Sequence, residues 1–253
     1  MRGLHDLRVE TRRQLAMVAF GVEVGATRSA KTRRLLKRCL HDTSALRDIE
    51  VLLALVDQLR RVYPQLRKFR NRLWRQKRRA REKTRRRLNR RKRKLFRRVE
   101  AAAGAMDELS KTTRYSDAEI VRGLSESADE VRILSFAGQR NDAPLHRARV
   151  ALKRLRYLVE ALGAVLPGAS QSWLEALRRN QRAMGDINDL DVLTARLGKY
   201  TARRPREQRR LQKAKVAIVQ RRRRLQQALD PRLSSMPATL QRMFKSQMKR
   251  VAQ

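Results

Sequence analysis

Apolar positions recur at intervals of three and four along almost the whole chain, and no segment sustains the apolar/polar alternation of a half-buried strand. With 10 Gly and 6 Pro in 253 residues, the pattern predicts an all-α protein. Breaks between helices are expected at Gly21 and Gly25, Thr43-Ser44, Pro64, residues 110 to 116, 138 to 144 and 166 to 170, Pro205, and residues 230 to 237. Between Gln65 and about Ala103 no breaker occurs, and Phe69, Leu73, Ala80, Thr84, Leu88, Leu95 and Val99 keep helical spacing. At 1.5 Å per residue that is one helix roughly 55 Å long. Residues 205 to 229 read as a shorter counterpart.

Charge changes the picture most. The chain carries 64 Lys+Arg against 24 Asp+Glu, a formal +40, which calls for a polyanionic partner. Between Lys68 and Arg98, 19 of 31 residues are Lys or Arg and Glu82 is the only acid, so like charges repel along the long helix unless anions gather there. The 41% of hydrophobic residues is still enough for a core, unlike a disordered basic tail.

The chain also repeats itself. His5 to His146 is an offset of 141, and Asp48 to Asp189 is again 141. Arg8/Arg149, Arg13/Arg154, Val18/Val159, Leu36/Leu177, Arg38/Arg179 and Leu52/Leu193 fall on the same register. The repeat predicts two pseudo-symmetric helical bundles, a first repeat over residues 1 to 105 and a second over 106 to 253.

Each copy opens on a cationic histidine face. In LHDLRVETRR, His5, Arg8 and Arg12 fall within about 60° on a helix, beside an apolar face of Leu4, Leu7, Leu15 and Val18. In LHRARVALKR, His146, Arg149 and Lys153 do the same, with Arg154 and Arg156 on the flanks. Guanidinium forks match phosphate oxygens, lysine adds a point charge, and imidazole donates from either nitrogen and charges more readily beside a polyanion. A single histidine on a basic helix is ordinarily a surface residue; its recurrence at the same register points to phosphate. Asp48 and Asp189 are expected to start apolar helices, where an acid caps the helix dipole or, on the sharper reading, pairs with Arg8 or Arg149 and holds its fork toward a ligand.

HDLRVETRR with LRDIEV, then HRARVALKRLRY with INDLDV, resemble the CHAD domain, the conserved-histidine α-helical domain. The resemblance covers nearly the whole chain, the second copy more specifically. It implies a single domain of two related bundles, a basic surface and central channel, and non-catalytic binding of inorganic polyphosphate. It further implies phosphate contacts at His5, Arg8, Arg12 and Arg13 and at His146, Arg149, Lys153, Arg154 and Arg156; Arg38 and Arg179, matched in register, join the candidate set. Two departures stand out. Gln14 and Leu15 replace the Leu and Arg that usually follow the first Arg pair, so that subsite is expected to hold phosphate less tightly. Four residues precede His5 where the family usually has a helix, which implies a first repeat without its N-terminal helix.

Other chemistry is poorly represented, and neither catalytic residues, a cofactor nor a metal is expected. His5 with His41-Asp42 could begin a metal-dependent phosphohydrolase site, but Arg182 stands opposite His41 in the other half. DINDLD lacks the glycine and one oxygen ligand of a calcium loop. By charge alone, RNA or DNA is the alternative partner, although aromatics are 4% and Trp74 and Trp173 stand apart. A third reading makes the chain a coat for polyphosphate granules or anionic membranes, with MPATLQRMFKSQMKRVAQ as a surface-binding rather than a bundle-closing helix. The lone Cys39 suits a reducing compartment, acidic residues interrupt the signal-like AMVAFGVEVGA, and no apolar run reaches bilayer length, so a cytoplasmic location is expected.

Overall fold

The computed structural model describes residues 2 to 23, 30 to 112, 117 to 138, 142 to 162 and 171 to 251. Among these residues the chain is helical and contains no strand. In order it forms α1 (Arg2–Glu23), α2 (Ala30–Leu59), a 3-10 turn (Pro64–Leu66), α3 (Arg67–Thr112), α4 (Asp117–Gly138), α5 (Asp142–Leu162), α6 (Gln171–Thr201), α7 (Pro205–Arg210) and α8 (Gln212–Val251).

The predicted class holds, as does the long basic helix, which runs on to Thr112. Gly21 lies inside α1, which ends two residues later at Glu23, and two further expected breaks do not occur. Thr43 and Ser44 lie inside α2, where Ser44 Oγ donates back to the His41 carbonyl at 2.8 Å and Thr43 is buried, so side chains that could have capped a new helix serve a continuing one. Pro231 and Pro237 lie inside α8. Each proline removes one donor and crowds the preceding turn, but the remaining backbone bonds of forty residues carry the helix past them. The expected break at Gly25 and the middle of those at 110 to 116, 138 to 144 and 166 to 170 lie outside the described residues.

The chain divides into two compact units. One comprises Met1–Leu40, Arg91–Met184 and Asp230–Gln253; the other His41–Arg90 and Gly185–Leu229. Each unit therefore draws on both halves of the sequence.

The second unit is built on a core of Ile49, Leu52, Leu53 and Val56 from α2, Leu66, Phe69 and Leu73 around the start of α3, Leu190, Leu193, Leu197 and Tyr200 from α6, and Leu211, Ala214 and Ile218 near the start of α8. The 141 spacing reappears there in Ile49/Leu190, Leu52/Leu193 and Val56/Leu197. Pro64 and Pro205, also 141 apart, each open the first turn of a short helix. Beyond them the spacing becomes 145, in Leu66/Leu211, Phe69/Ala214 and Leu73/Ile218, because α7 is longer than the three-residue turn it matches. Phe69 and Tyr200 meet with ring centroids 5.2 Å apart, tilted by 58°.

In the first unit α5 packs against both α4 and α1. It buries Leu145, Ala148, Ala151, Leu152, Leu155, Leu158 and Val159, a stripe at three-and-four spacing that leaves the opposite flank to cations. α4 contributes Leu124, Ala128 and Val131, and α1 contributes Ala16.

Candidate polyanion-binding site

The two motif helices, α1 and α5, meet in the first unit. Their small and apolar positions pack inward, and spacing of three and four brings Arg8 and Arg12 onto one flank of α1 and Arg149, Lys153 and Arg156 onto one flank of α5. Arg12 and Lys153 are themselves 141 apart, as are Arg8 and Arg149.

Lys153 reports how dense this cluster is. Burial, reinforced by the charges of Arg12, Arg149, Arg8 and Arg156, pushes its ammonium down to about 7. Desolvation disfavours the charged form of an amine, and four neighbouring cations disfavour it further.

Arg8 is buried, and its Nη1 donates to the Leu40 carbonyl at 2.8 Å, which ties the first motif to α2. Beneath it Thr11 Oγ1 donates to the Leu7 carbonyl at 2.6 Å and lies 3.8 Å from Cys39 Sγ. Burial pushes the Cys39 thiol up, against the opposing pull of the Thr11 hydrogen bond and of Arg8 and Arg91. His5 and His146 stand exposed at matching positions of their helices, as do Arg38 on α2 and Arg179 on α6, the last 3.8 Å from Glu175.

Some predicted phosphate ligands already have carboxylate partners. Glu160 of α5, its side chain 8% exposed, accepts from Arg156 Nη1 at 2.7 Å and from Arg178 Nη2 at 2.9 Å, and Arg13 Nε lies 3.9 Å away. Arg156 also donates Nε–H to Gln181 at 2.7 Å and covers the Tyr157 ring at 4.2 Å. Arg154 pairs with Glu130 of α4 at 3.8 Å. Sequence reasoning missed Glu160, Arg178 and Gln181. The only local signal was the spacing of Arg156 and Glu160 by one helical turn.

Asp48 and Asp189 belong to the second unit and lie inside α2 and α6, not in a first turn, because no break occurs before either. A helix-dipole role at an N-terminus is therefore excluded for both. Asp48 is exposed; Asp189 is half-buried and accepts from Asn188 at 3.3 Å.

A family model, the CHAD domain, matches residues 2–198. The chain belongs to the CHAD domain family. Among solved structures, the crystal structure of the CHAD domain from the plant Ricinus communis is similar at a TM-score of 0.71 and 23% identity, covering 94% of this chain and 81% of that chain. No curated protein matches. The match includes both motif helices of this CHAD domain, α1 and α5, and nearly all of α6.

Proposed function

We propose that this CHAD domain binds inorganic polyphosphate and performs no chemistry on it. The observation that carries the reading is the convergence of Arg8 and Arg12 with Arg149, Lys153 and Arg156, one set from each motif, on a single place. Successive phosphates neutralise these cations and release condensed counterions, and each bound unit raises the effective concentration of the next. The exposed His5 and His146 extend the site along α1 and α5. Arg38, Arg154 and Arg179 form its periphery, and Arg13 and Arg156 enter it only by sharing their forks between Glu160 and phosphate. Asp48 and Asp189 belong to the same proposal as orienting carboxylates: Asp48→Asn weakens anion binding although it removes a negative charge, and tighter binding refutes that role.

Binding of RNA or DNA through the same surface is the alternative, favoured by the charge of +40. Against it, the aromatic ring within the motif cluster, Tyr157, is buried beneath Arg156 and offers no face for a base. Competition between long-chain polyphosphate and single-stranded RNA at fixed ionic strength, on the native chain and on a His5/Arg8/His146/Arg149 alanine variant, decides between them. Preference for polyphosphate that the substitutions abolish supports the proposal; polyphosphate binding that the substitutions leave unchanged overturns it.

A cytoplasmic location, at polyphosphate granules where these form, is part of the same reading. Among the described residues no helix is long and apolar enough to cross a membrane.

A further inference from the structure

The densest charge of the molecule lies outside the motif helices. In the second unit, side chains of α3 from Arg75 to Arg90 border open space of about 1080 Å³, among them eight arginines, one lysine and Glu82. Glu82 engages Arg86 at 2.8 Å and Arg85 at 3.6 Å, and Arg87 lies 3.4 Å from Asp42. Arg75, Arg78, Arg79, Arg81, Lys83 and Arg90 are exposed and have no carboxylate partner among the described residues. Six cations of one sign on about four turns, spread over roughly 200° of the helix circumference, repel one another, and anions gathered along the helix relieve that repulsion.

One further residue distinguishes this face from the motif site. Trp74 is 42% exposed, unusual for the largest apolar side chain on so polar a helix. Arg70 Cζ and Lys77 Nζ lie 5.8 and 5.2 Å from its ring centroid, and beside these contacts the residue keeps its 42% exposure to solvent. At 100° per residue, Trp74, Arg78, Arg81 and Arg85 fall within an arc of about 60°, turned away from the buried stripe of Phe69, Leu73 and Thr84. A flat aromatic ring at the head of a row of guanidinium groups suits a chain that carries both phosphates and planar bases. Inorganic polyphosphate has nothing to stack on an indole; every nucleobase does.

We propose that the exposed face of α3, Trp74 with Arg78, Arg81 and Arg85, is a second site, for single-stranded nucleic acid, separate from the motif cluster of the first unit. A base stacks on Trp74 while following phosphates lie along the arginines. Contacts of this kind are tolerant of sequence and steep in salt.

The chain has two tryptophans, so a Trp173→Phe variant makes Trp74 the sole indole reporter. Titrating that protein with short oligo(U) quenches its fluorescence, and long-chain polyphosphate at equal phosphate concentration does not. In a separate binding assay, Trp74→Ala lowers oligo(U) affinity roughly 5- to 150-fold, the span of one base stack. An Arg78/Arg81/Arg85→Gln variant, confined to exposed positions, lowers the salt slope by about 2, at roughly 0.7 per phosphate contact. The His5/Arg8/His146/Arg149 variant leaves oligo(U) binding unchanged, which separates this site from the motif site whatever the latter binds. Absent quenching, equal quenching by polyphosphate, or oligo(U) binding that ignores the α3 substitutions and disappears with the motif ones would each overturn the inference.

Discussion

Arg156 donates Nη1–H to Glu160 Oε1 at 2.7 Å, one turn further along α5, and the same carboxylate gathers Arg178 from α6 and Arg13 from α1. Glu160 is the buried member, while Arg13 and Arg178 are largely exposed. Replacing it by Gln leaves three guanidinium groups with a neutral neighbour. Glu160→Gln is therefore expected to lower stability by roughly 1–3 kcal/mol, the cost of a charge-assisted buried contact. It also raises polyphosphate affinity at low salt by freeing cationic forks. Urea unfolding and titration calorimetry on the one variant measure the two opposite effects.

Lys153 makes binding depend on pH. Burial and the charges of Arg12, Arg149, Arg8 and Arg156 hold the free site's ammonium at about 7, and a bound polyanion restores its charge. Binding then takes up a proton at Lys153 above pH 7, so affinity rises as pH falls from 9 toward 7. The guanidinium groups around it do not titrate in this range, so in a protein with His5 and His146 replaced by Gln the slope belongs to the lysine. Calorimetry in two buffers of different ionisation enthalpy reads the proton uptake, and Lys153→Arg, always charged, abolishes it.

The same shift governs the unliganded fold with the opposite sense. Between about 7 and the ordinary 10.5, the unfolded chain holds a proton at Lys153 that the folded chain has lost. Stability therefore increases as pH rises through that window and is lost as pH falls back through it. Lys153→Met removes this dependence, seen as a flatter profile of melting temperature from pH 7 to 10.

Cys39 is expected to react slowly. Burial raises its thiol above the ordinary value more than Thr11, Arg8 and Arg91 lower it, and only 5% of the residue is exposed. Alkylation of the native protein at pH 8 should run at least about tenfold slower than in urea.

Leu193 tests the core of the second unit. It is fully buried among α2, α3, α6 and α8 residues, as is its counterpart Leu52. Leu193→Ala should cost roughly 2–5 kcal/mol of unfolding free energy, measured by denaturant titration.

Much of the fold was legible from spacing alone. The stripe of Phe69, Leu73, Ala80, Thr84 and Leu88 marks α3, and Pro205 marks the start of α7, because both signals act within a few residues of themselves. Thr43-Ser44 and Pro231 misled for the same reason. Each is a local preference, and the helices through them persist because the whole length of α2 and α8 decides. The common 141 offset of His5 and His146, Arg8 and Arg149, and Arg12 and Lys153 could be read along the chain, and with it the expectation that they serve one ligand.

By itself, then, the order of residues determined that the chain is helical, where most helices run, that it is a CHAD domain, and which cations recur. Helix formation and helix-face chemistry depend on neighbours three and four positions away, so a linear text records them. Tertiary structure decided which of those cations a carboxylate on another helix already holds and which lysine's ammonium is pushed down to about 7. Arg13 meets Glu160 across 147 positions of chain, and Lys153 answers to Arg8 and Arg12 from another helix. Charge acts through space, and only the packing of α1 against α5 places those groups side by side.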